Sequence, residues 1–231
     1  EMCIRDSFWA GMAALALVYA LASRLYGPLA GVIALALLAL NFWHLLLSRE
    51  VTRETLLPAL LAAVLLLLAL ALRVHRPGVL ASLPPTTPFA ALGMLLGMGV
   101  YTHPVMLLAA LASMVFIAYM LLTRQPLTRR TLGYLGFSIL IFIIIAMPYL
   151  ISSIRLPHLA GASRLLGDYA PDRLSPFKAL ADGLAGLFFL GDDNPVRNLP
   201  GRPLVDLISG LLMLVGLLTA IRHWRQPRYT L

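Results

Sequence analysis

Two arginines, Arg49 and Arg53, lie in the run Ser48-Arg49-Glu50-Val51-Thr52-Arg53-Glu54, between two long apolar stretches. Residues four apart share a face if the run is helical. Two guanidiniums at a membrane surface make a clamp for phosphate or pyrophosphate, because Arg meets phosphate oxygens bidentately. The competing reading is internal pairing with Glu50 and Glu54. A second group is Tyr101-Thr102-His103-Pro104, with a histidine in a break between apolar segments. Such a histidine can meet a metal, a proton or a sugar hydroxyl, or it can be structural, with one hydrogen bond. His158 is a further histidine in a polar stretch, but two histidines do not make a zinc site. The third group is Gly191-Asp192-Asp193-Asn194-Pro195-Val196-Arg197-Asn198-Leu199-Pro200-Gly201-Arg202-Pro203. Here Asp192 and Asp193 can act as general base or metal ligands. Asn194, Arg197, Asn198 and Arg202 are candidate substrate contacts. The alternative is an Asx/Pro turn that closes a loop.

The elements that must position these groups follow from composition. The chain has 231 residues, of which 60% are hydrophobic and 12% charged, with a mean hydropathy of +0.87. A soluble domain carries about 25% charged residues, so a soluble globular enzyme, a coiled coil and a disordered tail are excluded. The net charge is +8, and Lys178 is the single lysine beside the arginines. The arginines stand in small groups between apolar runs. That is the pattern of membrane topology signals, not the basic stripe of a nucleic-acid binder. The single cysteine, Cys3, forbids an intrachain disulfide and a cysteine metal cage.

Apolar runs at 8–22, 28–47, 55–72, 88–101, 104–122, 131–152 and 204–221 predict an all-α fold. In lipid every backbone group must be paired internally, so such runs are helices. The predicted architecture is a polytopic transmembrane helix bundle of about seven spans. One long loop, 153–203, carries a short interfacial helix over 177–190. The first run is only ~22 Å of helix, short for a bilayer, and reads as a truncated span. Residues 1–7 have no signal-peptide layout and resemble translated adapter sequence. They are expected to be a non-native extension, and 8–231 an internal fragment of a longer protein. Gly93 and Gly97 have the spacing that lets helices approach closely.

Arg24, Arg73 with Arg76, Arg124 with Arg129 and Arg130, and Arg222 with Arg225 and Arg228 fall at alternate connections. If these are cytoplasmic, the three polar groups all lie outside. No acidic residue lies within a span. Asn41 and His44 sit near the outer part of the second span. The absence of buried carboxylates counts against a pump.

In order along the chain come Trp43-His44-Leu45-Leu46-Leu47-Ser48-Arg49-Glu50, Leu57-Pro58, Gly97-Met98-Gly99-Val100-Tyr101-Thr102, Gly191-Asp192-Asp193-Asn194-Pro195 and Asn198-Leu199-Pro200-Gly201-Arg202-Pro203. This order resembles bacterial integral-membrane glycosyltransferases of the GT-C type, the glycosyltransferase family 39-like proteins. These are related to dolichyl-phosphate-mannose–protein mannosyltransferases and to the lipid A aminoarabinose transferase. The resemblance implies a polyprenyl-phosphate-linked sugar as donor and a protein, lipid or glycan acceptor. It implies transfer on the extracytoplasmic face of the bacterial cytoplasmic membrane, with no nucleic acid and no demanded cofactor; metal dependence stays open. It implies lipid-phosphate contact for Arg49 and Arg53. It also implies donor or acceptor contacts for Glu50, Tyr101 and His103, and near Arg197–Arg202. Two departures stand out. The family's catalytic carboxylate lies in the first outer loop, expected upstream of residue 8, so no catalytic residue is expected in this chain and the fragment is expected to be inactive. Relatives often carry His before the last motif's Asn, where this chain has Arg197. The alternatives are a fragment of a lipid-linked-saccharide transporter or flippase, or a non-catalytic assembly subunit.

Overall fold

A computed structural model of the chain describes residues 2–49, 53–74, 84–123, 128–155, 181, 183–190, 203 and 205–231. The described residues form helices: α1 Met2–Tyr26, α2 Pro28–Leu40, α3 Phe42–Leu47, α4 Leu57–Ala71, α5 Thr86–Thr102, α6 Met106–Thr123, α7 Arg129–Arg155, α8 Leu207–Arg222 and α9 Pro227–Thr230. A 3₁₀ turn, Arg53–Leu56, leads into α4, and a π-helical turn covers Gly186–Leu190. Among the described residues, three helices are long and apolar enough to cross a membrane alone: Arg5–Tyr26, Glu54–Ala71 and Arg129–Arg155. The fold is therefore an all-α polytopic membrane bundle.

The first span, which reads as truncated in sequence, begins within the stretch expected to be a non-native extension. In the structure α1 is 25 residues long, starting before Phe8 and ending after Arg24. Residues 28–47 are one apolar run in sequence but two helices in space. Asn41 leaves the helical region at ψ 124, and its side-chain oxygen accepts the His44 N–H at 3.0 Å, capping α3. Asn favours such caps. Together α2 and α3 cover ~30 Å, enough for one bent span. The link from α1 to α2 is a single residue, Gly27, at φ 107, with Pro28 opening α2. Glycine tolerates that φ, and proline at the first helical position loses no bond.

The helices pack both on sequence neighbours and on helices further along the chain. Helix α1 lies against α2 and α4, α4 against α5, and α5 against α7. Leu25, Val64, Leu68, Leu92, Leu96, Val100 and Met106 form the shared core, extended along α6 by Ala110, Phe116 and Met120. The tightest contact is α5 on α7. There Gly93 faces the Ser138 backbone and Gly97 faces Ile145. The described end of the expected interfacial helix meets the start of α8, where the Val205 N–H donates to the Leu187 carbonyl at 3.1 Å. The rest of 177–190 lies outside the described residues. Helix α8 exposes Leu211, Leu212, Leu214, Val215, Leu217 and Leu218.

Two helix ends carry predictions. After α4, Arg73 adopts φ 52. Its N–H donates to the Leu70 carbonyl and the Val74 N–H to the Ala69 carbonyl, with Val74 buried. This is the Schellman closure, whose left-handed position usually belongs to glycine. A side chain there costs about 1–2 kcal/mol, so Arg73→Gly is expected to raise the unfolding midpoint and Arg73→Val to lower it. Thermal unfolding in detergent measures both.

At the start of α8, the Asp206 carboxylate accepts the Ser209 N–H at 2.9 Å. That bond holds the carboxyl below its ordinary value of 3.8. The folded value is the depressed one, so the cap's stabilisation is present above pH 3.8 and fades as pH falls through the folded value. Asp206→Ala is expected to cost about 1 kcal/mol or less at neutral pH. The deficit should shrink in acid, while Asp206→Asn keeps the cap without the pH dependence. Unfolding curves at pH 7 and pH 3 separate these outcomes.

Candidate functional site

Two polar patches form at the end of the bundle where α3 and α5 stop. Successive spans alternate in direction, so the connections after α3 and after α5 fall at the same end.

The first patch is built around the α3 terminus. His44 is buried and hydrogen-bonds the backbone of Gly11 on α1. Gly11 is needed here, because a Cβ at that position would lie 2.7 Å from the Ser48 Cβ. The chain turns at Ser48 and Arg49. The Ser48 N–H donates to the His44 carbonyl and the Arg49 N–H to the Leu46 carbonyl, both at 3.0 Å. Buried Thr55 donates from its hydroxyl to the Leu47 carbonyl at 3.0 Å, fastening the 3₁₀ turn to the end of α3. Arg49 is exposed on this fastened turn. Arg53 opens the 3₁₀ turn. The two arginines therefore belong to two elements, a turn and a short 3₁₀ helix, and not to one α-helical face. Any shared ligand would be held by the fold of the connection. Glu50 lies outside the described residues.

The second patch is the α5–α6 connection against α7. The Tyr101 hydroxyl donates to the Ile145 carbonyl at 2.8 Å, and its ring stands edge-on to Tyr149 at 5.7 Å. Pro148 interrupts the ladder of α7 here. Its missing N–H leaves the Ile144 carbonyl without its helical donor. Tyr101 thus braces α7 one carbonyl away from that gap. His103 is extended, and its Nδ1 accepts the Val105 N–H at 3.2 Å. In the neutral ring that bond leaves the proton on Nε2. His103 closes the turn into α6 and keeps Nε2 for another partner. An open apolar hollow on α7, lined by Ile144, Met147, Pro148, Ile151 and Ser152, ends at Arg155.

Asp192, Asp193, Asn194, Arg197, Asn198, Arg202 and His158 lie outside the described residues. Among the described residues no group of three His, Cys, Asp or Glu side chains could hold a metal ion. Sequence reasoning passed over Gly11, Thr55, Tyr149 and Arg155 as parts of these patches. Gly11 had a signal in its spacing of four from buried Ser7, the small-residue pattern of a close helix contact. Arg155 reads in sequence as the start of the long loop, whereas α7 continues to it.

The bundle, with its polar groups gathered at helix ends, is that of a multi-span membrane protein. The family model for dolichyl-phosphate-mannose-protein mannosyltransferase matches residues 6–151, and the chain belongs to that family. It is thereby a protein of the GT-C membrane glycosyltransferase class. The matched stretch holds the Arg49 turn and the Tyr101–His103 turn and stops short of Ser152 and Arg155. No curated protein and no solved structure matches the chain.

Proposed function

We propose that this chain is part of a glycosyltransferase that moves a sugar from a polyprenyl-phosphate carrier to an acceptor hydroxyl, outside the bacterial cytoplasmic membrane. The observation that carries the reading is Arg49. It is an exposed guanidinium on a turn held by three backbone-directed bonds, inside the stretch that matches the family. In the reaction a carboxylate takes the proton of the acceptor hydroxyl, whose oxygen attacks the anomeric carbon. The bond to the carrier phosphate breaks and that phosphate leaves. Arg49 and Arg53 meet the negative charge that grows on the leaving group, an electrostatic role that needs fixed donors. Tyr101 and His103 border the sugar or acceptor, and Glu50 lies beside the clamp. Asp192, Asp193, Asn194, Arg197, Asn198 and Arg202 add donor or acceptor contacts. The apolar hollow on α7 is a bed for the polyprenyl chain, with Arg155 at its polar end.

The arginine positions also distinguish this reading from a flippase. A flippase would line a path with charge across the membrane depth, whereas the spans here are nearly free of charge. The test is binding of polyprenyl phosphate to the protein in lipid nanodiscs, compared between the native chain and Arg49→Gln. Equal affinity in the two would remove the phosphate-clamp reading.

A further inference from the structure

Helices α5 and α7 run side by side in the same direction. Phe89 stands beside Tyr134 at 5.9 Å, Gly93 faces the Ser138 backbone and Gly97 faces Ile145. The start of α5 therefore stands level with the start of α7, at the end of the bundle away from Arg49. Along one side of this seam runs an open groove of about 510 Å³, a volume within the ~300–1,000 Å³ of ligand sites. Helix α5 lines it with Thr86, Thr87, Ala91 and Met94, and α7 with Phe137, Ile141 and Ile145. The small Ala91 leaves the space, and the larger α7 side chains form the opposite wall. The lining is apolar except for the two threonines at the mouth.

The groove has a defined depth. From Phe137 to Ile145 it rises ~12 Å along α7, close to one leaflet of a hydrocarbon core, ~15 Å. Tyr101 lies seven residues beyond Met94, on the same face of α5. Its hydroxyl crosses to the Ile145 carbonyl at 2.8 Å, which closes the far end. The mouth carries charge. Arg130, Phe137 and Ile141 share a face of α7, being spaced by seven and four residues. Arg130 is exposed and stands ~10 Å before Phe137 along the axis, at the threonine end. Neither α5 nor α7 contains a carboxylate. Arg129, also exposed, falls about 100° round the helix from Arg130 and off this face.

We propose that the α5–α7 groove seats one acyl chain of an anionic phospholipid, with its headgroup phosphate held by Arg130 and the hydroxyls of Thr86 and Thr87. The one-leaflet depth suits a phospholipid chain better than a longer polyprenyl chain. The cation at the mouth, with hydroxyl donors beside it, suits a phosphate. This site is separate from the Arg49 clamp, and its occupancy does not depend on the sugar carrier.

The test is photolabelling. The protein is placed in phosphatidylcholine nanodiscs with a trace of phosphatidylglycerol that carries a diazirine in its acyl chain, and the labelled residues are mapped by mass spectrometry. Residues 90–94 and 137–145 should be labelled above the exposed apolar face of α8, which reports bulk lipid. Arg130→Gln should lower that labelling by roughly 10-fold or more, as for a charge-assisted hydrogen bond. Arg129→Gln removes the same charge off the groove and should cost at most the roughly fivefold of diffuse surface attraction. Ala91→Phe should block the groove with the charge unchanged, and a melting curve for each variant shows that the bundle is intact. Groove labelling no greater than that of α8 overturns the proposal. Equal losses in Arg129→Gln and Arg130→Gln also overturn it, since they would reveal a diffuse field in place of a site. Equal labelling by a phosphatidylcholine probe would overturn the anionic headgroup. Competition by polyprenyl phosphate but not by unlabelled phosphatidylglycerol would overturn the phospholipid assignment.

Discussion

Alanine at position 93 is expected to destabilise the bundle more than any other single methyl addition to a glycine of α5. A Cβ on Gly93 would sit 2.2 Å from the Ser138 carbonyl oxygen, 3.0 Å from its carbon and 3.1 Å from its Cα. All three atoms are α7 backbone, so no side chain can turn aside and the two helices must separate. Overpacking a fitted contact costs about 1–3 kcal/mol, and a backbone neighbour places Gly93→Ala at the upper end. Helix propensity opposes the loss by at most about 1 kcal/mol. The consequence extends to the site, because Tyr101 reaches the Ile145 carbonyl across this same contact. Gly97→Ala should be less harmful, since its Cβ would meet the Ile145 side chain at 2.8 Å. Gly136 and Gly133 have no neighbour within 4 Å, so alanine there should leave stability unchanged or slightly raised. Thermal unfolding of the four variants in one detergent decides the matter. A Gly93→Ala midpoint equal to that of Gly136→Ala would mean that α5 and α7 do not pack through Gly93.

That contact was partly legible in the sequence. The spacing of Gly93 and Gly97 predicts close approach, but spacing alone cannot name α7 as the partner. In lipid, apolar faces look alike, and the choice of partner rests on shape. The spans were legible because the bilayer demands long apolar helices. Their ends were less so. The polar turns of α1, and the continuation of α7 to Arg155, carry charged residues that hydropathy assigns to loops. The break at Asn41 is a cap inside an apolar run, and only the Asn side chain betrays it. At the site, residue types were legible and geometry was not. His103 stood between a ligand role and a structural one, and its Nδ1 bond to Val105 fixes part of the ring in the turn. Arg49 and Arg53 read as one helical face, yet they fall on two elements joined through Thr55 and Leu47. The bond that joins them spans eight residues, beyond any helical period.

Loss of the Arg49 guanidinium is expected to weaken polyprenyl-phosphate binding by roughly 10- to 100-fold, the worth of a charge-assisted hydrogen bond of about 1.5–3 kcal/mol. The direction follows from placement. Arg49 is exposed at the bundle end, and its turn is set by the bonds of Ser48, Arg49 and Thr55 to α3 carbonyls. Replacing its side chain should therefore leave the turn standing and remove only the donors. Arg49→Lys keeps the charge but loses the planar fork, so it should recover part of the affinity. Thr55→Val tests the turn itself. It removes the hydroxyl that bonds the Leu47 carbonyl, so it should weaken binding while Arg49 is still present. The readout is the affinity of polyprenyl phosphate in nanodiscs, with the matching polyprenyl alcohol as reference. Arginine bound to phosphate should discriminate between the two, and Arg49→Gln should bring their affinities together. If Arg49→Gln weakened the alcohol as much as the phosphate, the arginine would be supporting the shape of a lipid groove. If it weakened neither, the charge on the leaving group would have to be met elsewhere, with Arg53 and Arg155 the next guanidiniums to test.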